Sequence, residues 1–297
     1  MSRVTDLLGC RYPIILGAMG VICNPELVAA VSEAGGFGLL ATAFAKDPKV
    51  VRDQIRATKQ LTGKPFGANL YVMNPLAPEF AEVLAQEGVK CVTVSGGSPR
   101  ELIPMLHDAG IKVMAVVPTV DVARSAEAAG ADAIVAEGAE SGGVQGLMVS
   151  STMVLVPAVV DAVNLPVIAA GGIGDSRGYR AALALGAEGV QVGTRFIATR
   201  ECMAHEHYKT IIVKAKETGT ELVDMGRFRI RALRTGLVEK MLNSEGSAGQ
   251  AFTAEAVEAS WLKGDLDAGI LPAGEIAGLI SEIPSAREVI EEMVGVK

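Results

Sequence analysis

The sequence predicts an α/β protein built as a (β/α)8 TIM barrel, eight parallel strands alternating with helices, with a helical insertion or lid after the last strand. Three observations carry that expectation. A helix-like segment ending in Gly, followed by a short continuous apolar run, recurs along the chain: AEVLAQEG then VKCVTVSGG, PMLHDAG then IKVMAVV, RSAEAAG then ADAIVAEG, AALALG then AEGVQVGT. Gly accepts the left-handed conformation that ends helices, and an apolar run without polar alternation suits a strand of a parallel sheet, buried on both faces. Eight such strands are placed near residues 12–18, 37–42, 66–72, 91–95, 112–117, 132–136, 166–170 and 189–193, each followed by a helical pattern or a loop. Finally, no GxGxxG fingerprint follows the first strand, which removes the usual signal of a doubly wound dinucleotide fold.

Taken in order, YPIILGAMG gives the first strand, and the helix over 25–35 begins at Pro25, a favoured first helical position. The next strands alternate with helical segments as far as VIAAGGIGD and VQVGTRF, the seventh and eighth. The pattern then breaks. Residues 197–260 are richer in charge (RECMAHEHYKTIIVKAKETG, GRFRIRALRTGLVEK) and read as helices without intervening strands, a helical lid or subdomain. The stretch GILPAGEIAGLISEIPSAREVIEEM adds small residues and one more helix. The expected organisation is therefore a barrel over 1–196 completed by 261–297, with 197–260 inserted, and no solenoid repeat or low-complexity tract.

Composition narrows the function. With 297 residues, 49% of them apolar, one large core is available. A net charge of −7 and 4% aromatic residues argue against nucleic acid, which needs a basic face or stacking platforms. The N-terminal MSRVTDLLGCRYP lacks the pattern of an export signal, and no run approaches ~18 apolar residues, so a cytoplasmic, non-membrane protein is expected. Cys10, Cys23, Cys91 and Cys202 are scattered without a CxxC pair, which fits packed thiols better than disulfides or zinc.

In such a barrel the active site lies at the C-terminal ends of the strands, and phosphate is often held after strands seven and eight. Gly171, Gly172, Gly193 and Thr194 converge there. Their backbone N–H groups can approach an anion closely and Thr194 adds a hydroxyl; alternatively the glycines only make tight strand-to-helix turns. Ala18, Met19 and Gly20, after strand one, suit close backbone approach to a flat ring. Asn69, ending strand three, offers an amide to a heteroaromatic edge or serves as a turn residue. After strand six, AEGAESGGVQG brings the carboxylate of Glu137, then Gly142, Gly143, Val144 and Gln145, with no obvious acid or base at the end of the loop.

YPIILGAMG, SEAGGFGLL, KPFGANL, GADAIVAEGAESGG, LPVIAAGGIGD, EGVQVGTRF, AHEHYK and AGEIAGLI together resemble the FMN-dependent barrel enzymes that include nitronate monooxygenase (2-nitropropane dioxygenase) and the flavin-type enoyl-acyl carrier protein reductase, reductase II. KPFGAN, GVKCVTVSGGSP and VMAVVPTV look closer to the reductase branch. The resemblance implies FMN, with its phosphate at Gly172, Gly193 and Thr194, its ring beside Ala18, Met19 and Gly20, and polar contacts from Asn69 and Glu137. Two positions depart from the family. Its glycine loop reads SGGH or AGGH, the His serving as base or proton-handling residue, where this chain has Val144 and then Gln145; and its C-terminal GQ is here Gly274 and Glu275.

The remaining histidines do not fill the gap by position: His107 falls on an outer helix, and His205 and His207, two apart, suit a metal poorly at a helix start, so no metal site is expected. Gln145 can orient a carbonyl but cannot titrate, whereas Glu275 could titrate if it faced the flavin in a half-buried setting. Arg227, Arg229, Arg231 and Arg234 could catch a phosphate at the lid, or line a solvated helix or strand face. The expected function is NAD(P)H-dependent, FMN-mediated reduction of an α,β-unsaturated thioester. The alternatives are a nitronate monooxygenase using O2, which suffers more from the absent base, and a flavin-binding protein that has lost turnover. A small-molecule or carrier-bound acyl substrate and a possible homodimer complete the expectation.

Overall fold

The computed structural model describes residues 2–243 and 248–296. Its strands are β1 (Ile14–Leu16), β2 (Gly38–Ala41), β3 (Phe66–Tyr71), β4 (Cys91–Ser95), β5 (Lys112–Val117), β6 (Ala133–Glu137), β7 (Gly143–Gln145), β8 (Val167–Ala170), β9 (Gly189–Val192), β10 (Thr220–Asp224) and β11 (Arg229–Leu233). Eight of these form one parallel sheet in the order β1-β9-β8-β6-β5-β4-β3-β2. The sheet closes on itself through a bridge between Ile15 and Phe37, with Leu16 N donating to Phe37 O at 2.9 Å and Phe37 N to Ile14 O at 2.9 Å. Every expected barrel strand is present, seven within their expected ranges and β6 running one residue further, to Glu137.

The apolar runs are explained by burial on two faces. Ile15, Phe37, Leu39, Cys91, Met114, Ala133, Val135 and Ile168 point inward and fill the barrel, while their neighbours Ile14, Leu16, Leu40, Val113 and Ile134 pack under the surrounding helices. The helix Arg3–Leu8, closed by a Ser2/Thr5 capping box, adds Val4 and Leu8 to the inner cluster. The four helix-ending glycines singled out by the repeated pattern, Gly88, Gly110, Gly130 and Gly186, all have positive φ. Cys23, Cys91 and Cys202 are buried thiols, and burial pushes Cys23 up to about 12.

The inserted region adds strands to its helices. Besides helices at Glu206–Lys214, Gly236–Leu242 and Ala254–Val257, it contains the antiparallel hairpin β10–β11, where the sequence reading expected no strand. The reason lies in RFRIRAL: arginines alternate with Phe228, Ile230 and Ala232, which is a period of two and not 3.6. The alternation buries Ile230 and Ala232 with Val223, Val238, Ala251 and Ile270, and Gly226 turns the hairpin at φ 87°. β11 also pairs with β7, placing Ile230 opposite Val144, so the insertion holds one wall of the loop that follows β6.

Among the described residues no helix is long and apolar enough to cross a membrane. Truncating Ile230, which is fully buried at the centre of the hairpin, should cost about 2–5 kcal/mol by transfer and cavity terms together. Urea unfolding of Ile230→Ala measures this, and hydrogen exchange at Gly143–Gln145 should quicken in the same variant; unchanged stability would mean that the hairpin is not packed as described.

Candidate active site

The C-terminal ends of the barrel strands open into a cavity of about 860 Å³. Its walls are mostly apolar, from Ala18, Met19, Ile22, Phe44, Val144, Ile173, Phe252, Trp261 and Ile276, with polar groups from Asn69, Thr93, Ser95, Glu137, Ser141, Gln145, Gln191 and Thr194. A volume near the top of the range for single small-molecule sites leaves room for a cofactor and a second ligand.

The loops after β1 and β9 meet directly. Gly17 N donates to Val192 O at 2.8 Å, and a Cβ on Gly17 would lie 3.3 Å from Gly193 Cα. Met19 packs over Gly193, whose own missing Cβ would come 3.7 Å from the Met19 sulfur. Beside them, Gly171 and Gly172 follow β8 with φ of 99° and 71°, conformations that L side chains rarely adopt. Among the described residues, the backbone N–H groups of Gly172 and Gly193 have no backbone acceptor, and both face the same cavity. The Thr194 hydroxyl oxygen accepts from Gly274 N at 2.9 Å, which leaves its hydrogen to donate.

Asn69 is 4% exposed and lies within β3, where its amide nitrogen donates to Thr93 Oγ1 and Ser95 Oγ, each at 3.0 Å. Gln145 is equally enclosed: its amide nitrogen donates to Ala139 O at 3.0 Å, Ser141 O at 2.5 Å and Ser141 Oγ at 3.1 Å. Three acceptors around that nitrogen fix the amide orientation and leave Oε1 buried without a partner among the described residues, as is Oε1 of Gln191.

Glu137 ends β6 on the cavity wall. Burial disfavours its charge and raises its carboxyl from the ordinary 4.5 to about 7, while the Ser141 hydroxyl works in the opposite direction. Glu140, three residues on, is committed elsewhere: its Oε2 accepts from Thr152 N and Thr152 Oγ1, both at 2.8 Å. Glu275 does not line the cavity. It is exposed and paired with Arg231 at 3.0 Å, so it is not the half-buried group facing the site that its position in the sequence suggests. Arg231, 12% exposed, also donates from Nε to Ala139 O at 2.9 Å, so one guanidinium ties the hairpin to the loop after β6 and to the 272–276 segment. His205 caps the helix Glu206–Lys214, and His107 pairs with Asp132 outside the barrel.

A model of the nitronate monooxygenase family matches residues 1–295. The chain belongs to the nitronate monooxygenase family. It is a family of FMN-dependent oxidoreductases. FabK from Thermotoga maritima superposes with a TM-score of 0.93 at 40% identity, covering 99% of this chain and 95% of that one. A nitroalkane oxidase from Streptomyces ansochromogenes superposes with a TM-score of 0.86 at 30% identity, over 98% and 96% of the two chains. A (3aS,4S,5R,7aS)-5-hydroxy-7a-methyl-1-oxo-octahydro-1H-indene-4-carboxyl-CoA dehydrogenase from Rhodococcus jostii is 33% identical over 336 residues, covering 99% of this chain and 94% of the relative.

The residues present fit the family's cofactor. Free N–H groups at Gly172 and Gly193 and a donating Thr194 hydroxyl match a phosphate, and two orphaned carbonyl oxygens, on Gln145 and Gln191, match donors on a heteroaromatic ring. Gln191 went unnoticed in the sequence because it sits inside an otherwise apolar strand run; its signal was the single amide in GVQV.

A carboxylate beside the phosphate position tests the first match: Gly172→Glu should leave a folded protein that no longer retains FMN, read by the absorbance of the desalted protein. A second test follows from Glu137. Its folded-state pKa lies above its unfolded value, so the native state binds the extra proton, and the group lowers stability progressively as pH rises from about 4.5 to about 7. In FMN-free protein, Glu137→Gln should therefore raise the melting temperature at pH 8 and gain nothing at pH 4.5. A gain independent of pH would contradict the assignment.

Proposed function

We propose that this chain is an FMN-dependent oxidoreductase of acyl thioesters, which uses NAD(P)H as reductant and delivers a hydride to an α,β-unsaturated (enoyl) thioester. The observation that carries this reading is Val144. Where the resemblance expects an imidazole, the cavity wall has an aliphatic side chain packed into the apolar cluster of the hairpin. Abstracting a carbon-bound proton from a neutral nitroalkane needs a positioned base, whereas hydride transfer needs chiefly alignment. Two relatives support a thioester: FabK is an enoyl-acyl carrier protein reductase, and the Rhodococcus relative is named for a carboxyl-CoA substrate.

FMN supplies hydride chemistry when bound. In this reading Gly171, Gly172, Gly193 and Thr194 hold its phosphate, Ala18, Met19 and Gly20 flank its ring, and Asn69, Glu137 and Gln191 meet its polar edge. Gly142 and Gly143 keep the loop after β6 low enough for a second ligand. A Cβ on Gly142 would come within 2.5 Å of the Ala273 carbonyl carbon and Gly274 N, so only glycine lets the loop lie against the 272–276 segment. Apolar Val144, Phe228 and Ile276 exclude water from the space above. The barrel over 1–196 and 261–297 carries this site in our reading, with 197–260 as its lid; residues 244–247 of that lid lie outside the described residues.

A nitronate monooxygenase is the second reading, favoured by the family match and by the likeness to a nitroalkane oxidase. Anaerobic mixing with NADH or NADPH should bleach the flavin, and a short enoyl thioester should restore its colour. Flavin that stays oxidised under NAD(P)H, with rapid turnover of ethylnitronate in air, would favour the monooxygenase instead. Val144→His should raise oxidation of neutral nitroethane by about 10²–10⁴-fold if the imidazole is well placed. Rapid wild-type oxidation of nitroethane would contradict the claim that position 144 is where a base is missing.

A further inference from the structure

Of the titratable side chains on the cavity wall, one is free to exchange a proton with a ligand. Tyr208 is buried with its hydroxyl on Pro272 O, Glu140 is bound to Thr152, the Tyr71 hydroxyl donates to the Met73 sulfur, and Asp121 is exposed. Glu137 remains. It lies at the end of β6, where the paired residue of β8 is Ala170 and the helix Thr152–Val160 carries no charge, so no cation from the packed elements holds it ionised. Arg231, which reaches the loop after β6, spends its donors on Ala139 O, Glu275 and Thr220 Oγ1. A chain of donors leads to Glu137 from Gln145: its Nε2 donates to Ser141 Oγ at 3.1 Å, and the Ser141 hydroxyl hydrogen-bonds the Glu137 carboxyl.

From this arrangement we infer that Glu137, oriented by Ser141 and Gln145, is the catalytic residue that carries the substrate proton in this chain, in place of the imidazole that the family resemblance implies at position 144. The inference rests on the thioester reading above. In the reducing direction the hydride brings its electron pair to the β-carbon and the π electrons move to the α-carbon side. The α-carbon then takes the proton as the Glu137 O–H bond breaks, and the carboxylate left behind regains a proton from water. Run backwards, the carboxylate removes the α-proton as the hydride leaves the β-carbon, so one group serves reduction and dehydrogenation alike. A carboxyl that titrates near neutrality is suited to both directions. Ser141 and Gln145 act through it: the serine hydroxyl stabilises the ionised form, and the glutamine amide aims that hydroxyl.

The test uses the FMN-loaded enzyme. Infrared difference titration of the carboxyl band should give a midpoint near 7 that is missing in Glu137→Gln, whatever the substrate. With crotonyl-CoA as probe, the FMN-loaded fraction of Glu137→Gln should lose about 10²-fold or more in reoxidation by the thioester, a larger loss than it shows in reduction by NAD(P)H, together with the pH dependence of the reoxidation step. Ser141→Ala should move the midpoint upward without displacing FMN. Adding Val144→His to Glu137→Gln should restore reoxidation with a pH profile set by the imidazole. If Glu137→Gln does not retain FMN, Glu137→Asp with Ser141→Ala supplies the same comparison. A carboxyl midpoint near 4.5, or a Glu137→Gln enzyme with an unaltered profile, overturns the inference. Normal titration of Glu137 with no reoxidation by any thioester would instead overturn the functional reading on which it rests.

Discussion

The site depends on the close backbone approach between Gly17 and Gly193. Closing an eight-stranded sheet brings its first and last strands side by side; Gly17 N donates to the Val192 carbonyl at 2.8 Å, and the missing Cβ lets the loop after β1 lie against Gly193 without crowding. That contact unites the part of the cavity suited to a flat ring with the part suited to an anion. A Cβ at 17 would meet Val192 O and Gly193 Cα at 3.3 Å, a tight contact that these neighbours could accept only by giving way a few tenths of an ångström. The barrel beneath is filled by Phe37, Leu39, Met114 and Ile168, so the rim rests on a packed core and holds its shape.

The second constraint acts across the cavity. The loop after β6 is held by backbone pairing of β7 with β11 and by Arg231, a largely buried cation whose hydrogen bonds reach Ala139 and Glu275. Its consequence is that Val144 points into an apolar cluster while Gln145, the next residue along the strand, turns to the opposite side and organises Ser141. The departure at 144 is thus accompanied by a hydrogen-bonded network that ends on a carboxyl of raised pKa.

The sequence made the barrel legible because its strands are buried on both faces, which forces continuous apolar runs, and because left-handed glycines punctuate its helices. The glycines of the site were legible for a related reason: Gly20, Gly171 and Gly172 have positive φ, which L side chains rarely adopt. What stayed hidden depends on partners far along the chain. Arg229 and Arg231 suggested a charged helix because charge was weighed above the period-two alternation of Phe228, Ile230 and Ala232. Glu275 stood near the right loop in sequence, yet its pairing with Arg231 depends on a strand residue 44 positions earlier. The raised pKa of Glu137 was equally hidden, since burial by surrounding strands is a property of the fold and not of the AEGAESGG segment.

The central claim is that the glycine loops after β8 and β9 bind the phosphate of FMN. Calorimetric titration of the FMN-free protein with FMN and with riboflavin isolates it, because the two ligands share the ring and differ in the phosphate. Two or three charge-assisted hydrogen bonds predict at least ~10²-fold tighter binding of FMN, reduced to parity in Gly172→Glu. Equal affinity of the wild-type protein for FMN and riboflavin would contradict the account.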